Sequence, residues 1–124
     1  MTPTDIIWNR ACEGGGQNPS AGDHALGALL KAHGLAMNGG VLHAVECLSA
    51  SELSDAQSGY RFFSLGAVAD LLSRARAILE ADRDIESYEP QLDQDYATLI
   101  PDDSTLYAQF ERIYTTRPSE FTNV

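Results

Sequence analysis

The sequence predicts an all-α protein, a single compact domain of about six or seven helices with no sheet. Apolar residues recur at spacings of three and four along most of the chain, which is typical of helices with one buried face. No segment alternates apolar and polar residues convincingly over the length of a strand. The chain has 124 residues, of which 44% are hydrophobic, so we expect one core and one domain that spans residues 1–124.

The first helix is predicted to begin after Thr2, because Pro3 suits the first helical position and Asp5 completes a capping-box pattern. It should end at the three glycines of residues 14–16. A second helix follows the cap-like sequence of residues 20–23. One face of this helix carries Leu26, Leu29, Leu30, His33 and Met37. A histidine on such a stripe is more often semi-buried and hydrogen-bonded than a metal ligand.

The motif Asn38-Gly39-Gly40 predicts a turn between the second helix and a third, because glycine inside a helix costs about 1 kcal/mol relative to alanine. Asn38 is expected to close one helix, to cap the next, or both. After the third helix, Ser51 and Ser54 offer caps for a further turn or a short helix.

The strongest helical pattern begins at Gly66 and extends to about Arg83, with a continuous apolar stripe. On the outer side of this helix, Asp70 and Arg74 are four residues apart and are expected to pair.

The last two helices are placed by prolines. Pro90 is expected in the first turn of a short helix that ends at Pro101. Asp102 or Asp103 can cap the final helix, which should stop before Pro118.

The net charge of −10 is unevenly distributed. Residues 1–79 contain 7 acids and 5 bases, whereas residues 80–124 contain 11 acids and 3 bases. Direct binding of nucleic acid is disfavoured, because phosphate contacts need Lys and Arg. A basic protein is the natural partner of such a surface. The alternative is that the charge only keeps the protein soluble and monomeric.

Eight carboxylates in the C-terminal half are therefore the predicted partner-binding residues. They are Asp82, Asp84, Glu86, Glu89, Asp93, Asp95, Asp102 and Asp103. Four of the five tyrosines also lie in this half of the chain, at positions 88, 96, 107 and 114. Tyrosine is enriched in protein interfaces, although Tyr96 and Tyr114 fall on apolar stripes and suit the core.

No motif in the sequence predicts catalysis, a cofactor or a metal site. The glycines of residues 14–16 lack the lysine of a phosphate loop, and the spacing of His43 and Glu46 matches no metal-binding motif. Cys12 and Cys47 are predicted to be reduced, partly buried thiols, with a single disulfide as the alternative. No apolar run is long enough to span a membrane, and no secretory signal is evident, so we expect a cytoplasmic protein.

Several short motifs resemble the DNA mimic protein 19-like family of small acidic bacterial proteins. The resemblance covers roughly residues 30–121. It rests on Asn38-Gly39-Gly40 after an amphipathic helix, on Leu65-Gly66-Ala67 before an apolar helix, on Leu92-Asp93 with Tyr96, and on Tyr114 before Pro118-Ser119-Glu120-Phe121. It implies an all-α fold, no known catalysis and, in the best-studied case, an acidic surface that imitates DNA toward a DNA-binding protein.

Three functions remain open at this point. The first is a non-enzymatic, DNA-mimic-like inhibitor of a basic DNA-binding protein. The second is an immunity protein that neutralises a toxin such as a nuclease, through the same acids. The third is a hydrolase that uses dispersed groups such as His43 and Glu46.

Overall fold

The computed structural model describes residues 1–81 and 84–124, and within them the chain forms seven α-helices, one 3₁₀ turn and no strand. The predicted all-α fold is therefore confirmed. The helices are α1 (Pro3–Cys12), α2 (Ala21–Gly39), α3 (Val41–Cys47), α4 (Ala50–Phe62), α5 (Gly66–Ala81), α6 (Ile85–Leu99) and α7 (Asp103–Thr116), and the 3₁₀ turn is Pro118–Glu120.

Helix α2 lies at the centre of the arrangement and packs against α1, α3 and α4. Its closest neighbour is α4, where a Cβ atom at Gly59 would overlap the carbonyl oxygen of Ala25. Helix α5 packs against α3, α4 and α6. The apolar stripe predicted for α5 is buried at Val68, Leu71, Leu72 and Ala75, and is only partly buried at Ile78 and Leu79.

An aromatic cluster joins the C-terminal segment to the helices. Phe63 and Phe110 are fully buried, and Phe121 packs against both of them with ring centroids 6.3 and 5.8 Å away. A Cβ atom at Gly22 would lie 2.7 Å from the Phe121 ring, so α2 leaves room for this aromatic side chain. Phe121 therefore joins the segment after α7 to the core.

The turn at Asn38-Gly39-Gly40 forms at its last residue. Asn38 and Gly39 are helical members of α2, so the prediction that Asn38 closes or caps a helix was wrong. Gly40 alone separates α2 from α3, with φ of 95°, a conformation that costs other residues energy. Gly39 is needed for a different reason, because a Cβ atom there would overlap the His43 ring.

The predicted caps are partly confirmed. Thr2 and Asp5 form the expected capping box of α1. Ser20 precedes α2 but makes no capping hydrogen bond, since its hydroxyl lies 2.8 Å from that of Thr122. Helix α4 is capped by Ser49 and not by Ser51 or Ser54, and it is longer than predicted. At Ser49 the sequence again offers a capping box, with Glu52 as its third residue.

Helix α6 begins five residues before Pro90, so the prediction that this proline lies in the first turn was wrong. Two contacts extend the helix backward. Ile85 packs against the core, and the Ser87 hydroxyl and amide both donate to the carbonyl of Asp84. The proline removes one intrahelical donor without ending the helix. The predicted end of α5 at Arg83 lies outside the described residues.

Candidate functional site

Asp84, Glu86 and Glu89 form an acidic segment at the start of α6, which we call the α6 acidic segment. All three residues are exposed, and none of their carboxylates accepts a hydrogen bond or pairs with a base among the described residues. Asp84 has φ of 47°, a left-handed conformation that aspartate tolerates better than most residues. Tyr88 lies within the segment and is 48% exposed. The eighth predicted acid, Asp82, lies outside the described residues.

Asp93 and Asp95, further along α6, contact other parts of the protein. The Asp93 carboxylate accepts a hydrogen bond of 2.9 Å from the amide of Val41, at the first turn of α3. Asp95 pairs with Arg74 at 2.8 Å. Arg74 was predicted to pair with Asp70, which was wrong, because the close approach of α5 and α6 offers a better partner.

Asp102 and Asp103 lie at the start of α7 and also have structural roles. Asp102 is the N-cap, and its carboxylate accepts from the amide of Thr105 at 3.0 Å. Asp103 reaches back to α2, where its Oδ1 atom lies 2.7 Å from His33 Nε2. Four of the eight predicted acids therefore stabilise contacts within the protein.

The predicted acids are spread along α6 and beyond it. Asp84, Glu86 and Glu89 lie at its start, Asp93 and Asp95 lie in its second half, and Asp102 and Asp103 follow its last residue. In the α6 acidic segment, unlike the rest of the described predicted site, no carboxylate makes a hydrogen bond or ion pair within the described residues.

Ion pairs elsewhere neutralise most of the basic side chains. Six of them lie within 4.0 Å of a carboxylate: Arg10, Lys31, Arg61, Arg74, Arg76 and Arg117. Glu13, Glu46 and Glu111 are exposed acids without such a pair among the described residues, but they lie far apart along the chain, after α1, on α3 and on α7. The start of α6 therefore carries the densest uncompensated charge in the described part of the chain.

A chain of hydrogen bonds leads from Asp103 into the core, and we call it the His33 network. His33 Nε2 lies 2.7 Å from Asp103, and His33 Nδ1 lies 2.7 Å from the Tyr96 hydroxyl. The Tyr96 hydroxyl is in turn 2.8 Å from that of Tyr60. His33, Tyr96 and Tyr60 are all buried. The prediction of a hydrogen-bonded histidine is thus confirmed, and His33 is more completely buried than the predicted semi-buried state.

The two phenols of this network are held protonated. Burial raises the pKa of Tyr96 to about 12 and raises that of Tyr60 well above its ordinary value. A neutral phenol is a weak nucleophile, so the network acts as a structural element of the core. The sequence placed His33 and Tyr96 on apolar stripes, but it did not indicate that the two residues meet.

The cysteines, His43 and Glu46 do not form a catalytic or metal-binding cluster among the described residues. Cys12 and Cys47 are free and exposed, so the prediction of partly buried thiols was wrong. His43 contacts Cys47, with Sγ 3.7 Å from each ring nitrogen, and makes no bond to Glu46. Within residues 1–81 and 84–124, no three His, Cys, Asp or Glu side chains converge in a way that could hold a metal.

None of the helices in the described residues combines the length and the apolar character needed to cross a membrane. No protein-family model matches the sequence, and no curated protein and no solved structure matches it either. The resemblance to the DNA mimic protein 19-like family therefore stays a prediction from the quoted motifs.

Proposed function

We propose that this chain is a non-enzymatic binding protein that contacts a basic protein through the α6 acidic segment. One observation carries the proposal. Asp84, Glu86 and Glu89 are exposed, and their carboxylates make no hydrogen bond or ion pair within the described residues, whereas Asp93, Asp95, Asp102 and Asp103 bond to other parts of the protein. Carboxylates without internal partners can form charge-assisted hydrogen bonds to Lys and Arg of another molecule.

The position of Tyr88 supports the same surface. It is a large aromatic side chain, 48% exposed, between Glu86 and Glu89 along the chain. Tyrosine supplies contact area and a hydrogen bond at low entropic cost, and it is enriched in interfaces. An exposed aromatic among carboxylates fits a binding surface better than a surface that only confers solubility.

The partner class that we favour is a DNA-binding protein. A surface that such a protein uses for DNA is basic and already suited to closely spaced negative charges. Carboxylates three or four residues apart on a helix lie about 5–6 Å from each other, as Glu86 and Glu89 do by their spacing. The resemblance to the DNA mimic protein 19-like family is consistent with this choice. A toxin with a basic active site is the alternative partner.

The experiment uses the full chain with Glu86→Lys and Glu89→Lys together. Binding partners are captured from host lysate at low salt, identified, purified and titrated by calorimetry with and without duplex DNA. We expect the double variant to bind at least tenfold more weakly, about 1.4 kcal/mol. Duplex DNA should compete with the wild type, and affinity should fall steeply with salt.

The matched control reverses two exposed acids elsewhere, Glu46→Lys with Glu111→Lys, and changes the net charge by the same amount. Circular dichroism checks that both variants remain helical, because Glu86 in the first turn of α6 contributes about 0.3–1 kcal/mol to the helix. Equal losses in both variants would mean that net charge, and not the α6 acidic segment, governs binding. Affinity that is independent of salt would contradict the proposal altogether.

A further inference from the structure

A cleft of about 380 Å³ lies beside the outer end of the His33 network. Trp8 of α1, Leu30 and His33 of α2 and Asp103 of α7 line it. This volume is within the range of small-molecule sites, which combine apolar walls with a few polar groups. The cleft lies at the opposite end of α6 from the α6 acidic segment.

The floor of the cleft is open because two of its residues are glycines. Gly27 and Gly34 lie seven residues apart on α2, and therefore on the same face of the helix. A Cβ atom at Gly34 would meet nothing within 4 Å. Neither glycine has a positive φ, so the backbone does not require glycine at these positions. At Gly34, the absence of a side chain leaves open space in a cleft that Trp8 also lines.

The charge in the cleft is negative. Asp103 Oδ1 is bonded to His33, whereas Oδ2 has no hydrogen-bond partner among the described residues, and the side chain is 78% exposed. The positive charge of Lys31, which also lines the cleft, is balanced by its ion pair with Glu52. Cys12 lines the same cleft, and although the residue is exposed, partial desolvation of its thiol and then the charges of Asp103 and Glu13 raise the pKa of that thiol.

We propose that this cleft binds a small organic cation, an amine with an apolar or aromatic body, and that Asp103 is its counter-ion. The ammonium group pairs with the available carboxylate oxygen of Asp103. The body of the ligand lies between Trp8 and the glycine floor. Because both ring nitrogens of His33 are already engaged, His33 positions the carboxylate and does not bind the ligand itself.

The test uses the fluorescence of Trp8, the only tryptophan of the chain. Phenethylammonium is titrated at pH 7, and 2-phenylethanol and 3-phenylpropionate serve as neutral and anionic probes of similar size. We expect a saturable change with the cation, and binding at least tenfold weaker with the alcohol and the acid. The affinity for the cation should decrease as salt increases.

Two variants separate the charge of the site from its shape. Asp103→Asn keeps an oxygen for His33 and removes the charge, and it should weaken binding of the cation at least tenfold. Gly34→Leu fills the floor and should abolish binding of all three probes. Glu111→Gln removes an exposed acid that does not line the cleft and should leave binding unchanged.

Equal affinity for the cation and the alcohol would overturn the proposal in favour of a merely apolar cleft. Unchanged binding in Asp103→Asn would also overturn it, as would the absence of a saturable signal in a wild-type protein of normal helicity. A negative result for the cleft would not contradict the proposed function of the α6 acidic segment, because that function is tested with different residues and a protein partner.

Discussion

At the scale of single residues, the most consequential group is the Tyr96 hydroxyl, which contacts both Tyr60 and His33 in the buried core. Replacing Tyr96 with Phe removes one oxygen and leaves two buried polar groups without a partner. We expect a loss of about 1–3 kcal/mol in the free energy of unfolding, measured by urea titration. The control is Tyr88→Phe, whose exposed hydroxyl makes no bond in the described structure and should change stability by less than about 0.5 kcal/mol.

The same variant should change the dependence of stability on pH. Because the folded protein raises the pKa of Tyr96 to about 12, the unfolded chain releases this proton first as the pH rises through about 10. The unfolded state then binds fewer protons than the folded state, so stability falls between pH 10 and 12. Tyr60 adds to the effect in the same direction. Tyr96→Phe should flatten this decline, and an unchanged slope would contradict the assignment.

Sequence pattern predicted the environment of His33 but not its partners. Buried polar groups are nearly always hydrogen-bonded, so a histidine on an apolar stripe was expected to have hydrogen-bond partners for its ring nitrogens. Tyr96 is 63 residues away along the chain, and Asp103 is 70 residues away. Such pairings depend on how the helices pack, which local periodicity does not encode.

At the scale of helices, periodicity, caps and prolines together indicated the seven helices, but several helix ends differ from the prediction because tertiary contacts decide them. Pro90 illustrates the difference, because contacts of Ile85 with the core outweigh the lost backbone hydrogen bond and extend α6 by more than a turn. Ser49, and not Ser51, caps α4, and the Glu52 carboxylate three positions later accepts a hydrogen bond from the Ser49 amide, which stabilises this start of the helix.

Two glycines near the end of α2 should respond in opposite ways to alanine. Gly34 lies inside the helix with open space around it, so Gly34→Ala should stabilise the protein by about 0.5–1 kcal/mol. Gly40 has φ of 95°, and its Cβ atom would lie 3.0 Å from the Asp93 carboxylate. Gly40→Ala should therefore destabilise the protein by about 1–2 kcal/mol or more.

Thermal and urea unfolding of the two alanine variants, compared with the wild type, test this pair of expectations. Both variants add the same methyl group, one inside α2 and one at the turn that follows it, so each controls for the other. A stabilising effect at Gly40 would mean that the turn between α2 and α3 is not rigidly held by Asp93 and Val41.

At the scale of the whole molecule, the composition predicted an excess of acidic residues. It did not predict which of these acids bond within the fold and which face solvent. A carboxylate that caps a helix and one that faces solvent are identical in sequence, as Asp102 and Glu86 show. Only the tertiary structure reveals that Asp93, Asp95 and Asp103 engage partners on α3, α5 and α2. The candidate site could therefore be predicted as a region but not as a set of residues.

Asp23, an acid on α2, is fully buried and joins the residues after α7 to the rest of the molecule. Its position in the sequence did not indicate that it would be buried. Arg10 donates to Asp23 Oδ1 at 2.7 Å, and the amide of Thr122 donates to Oδ2 at 2.7 Å. Arg10 also donates to the carbonyl of Thr122 at 3.0 Å, so one buried carboxylate connects the first helix, the second and the last residues.

Removing this carboxylate leaves a largely buried guanidinium and a backbone amide without their acceptor. Asp23→Ala should therefore lower the free energy of unfolding by about 3 kcal/mol, near the lower end for a broken buried ion pair, because Arg10 retains some exposure. Asp70→Ala breaks an exposed pair of 3.8 Å with Arg61 and should cost about 1 kcal/mol or less. Amide hydrogen exchange should show faster exchange at Thr122 in the first variant alone. If both variants unfolded at the same urea concentration, or Thr122 kept its protection, the C-terminal segment would have to be held by Phe121 and its aromatic neighbours instead.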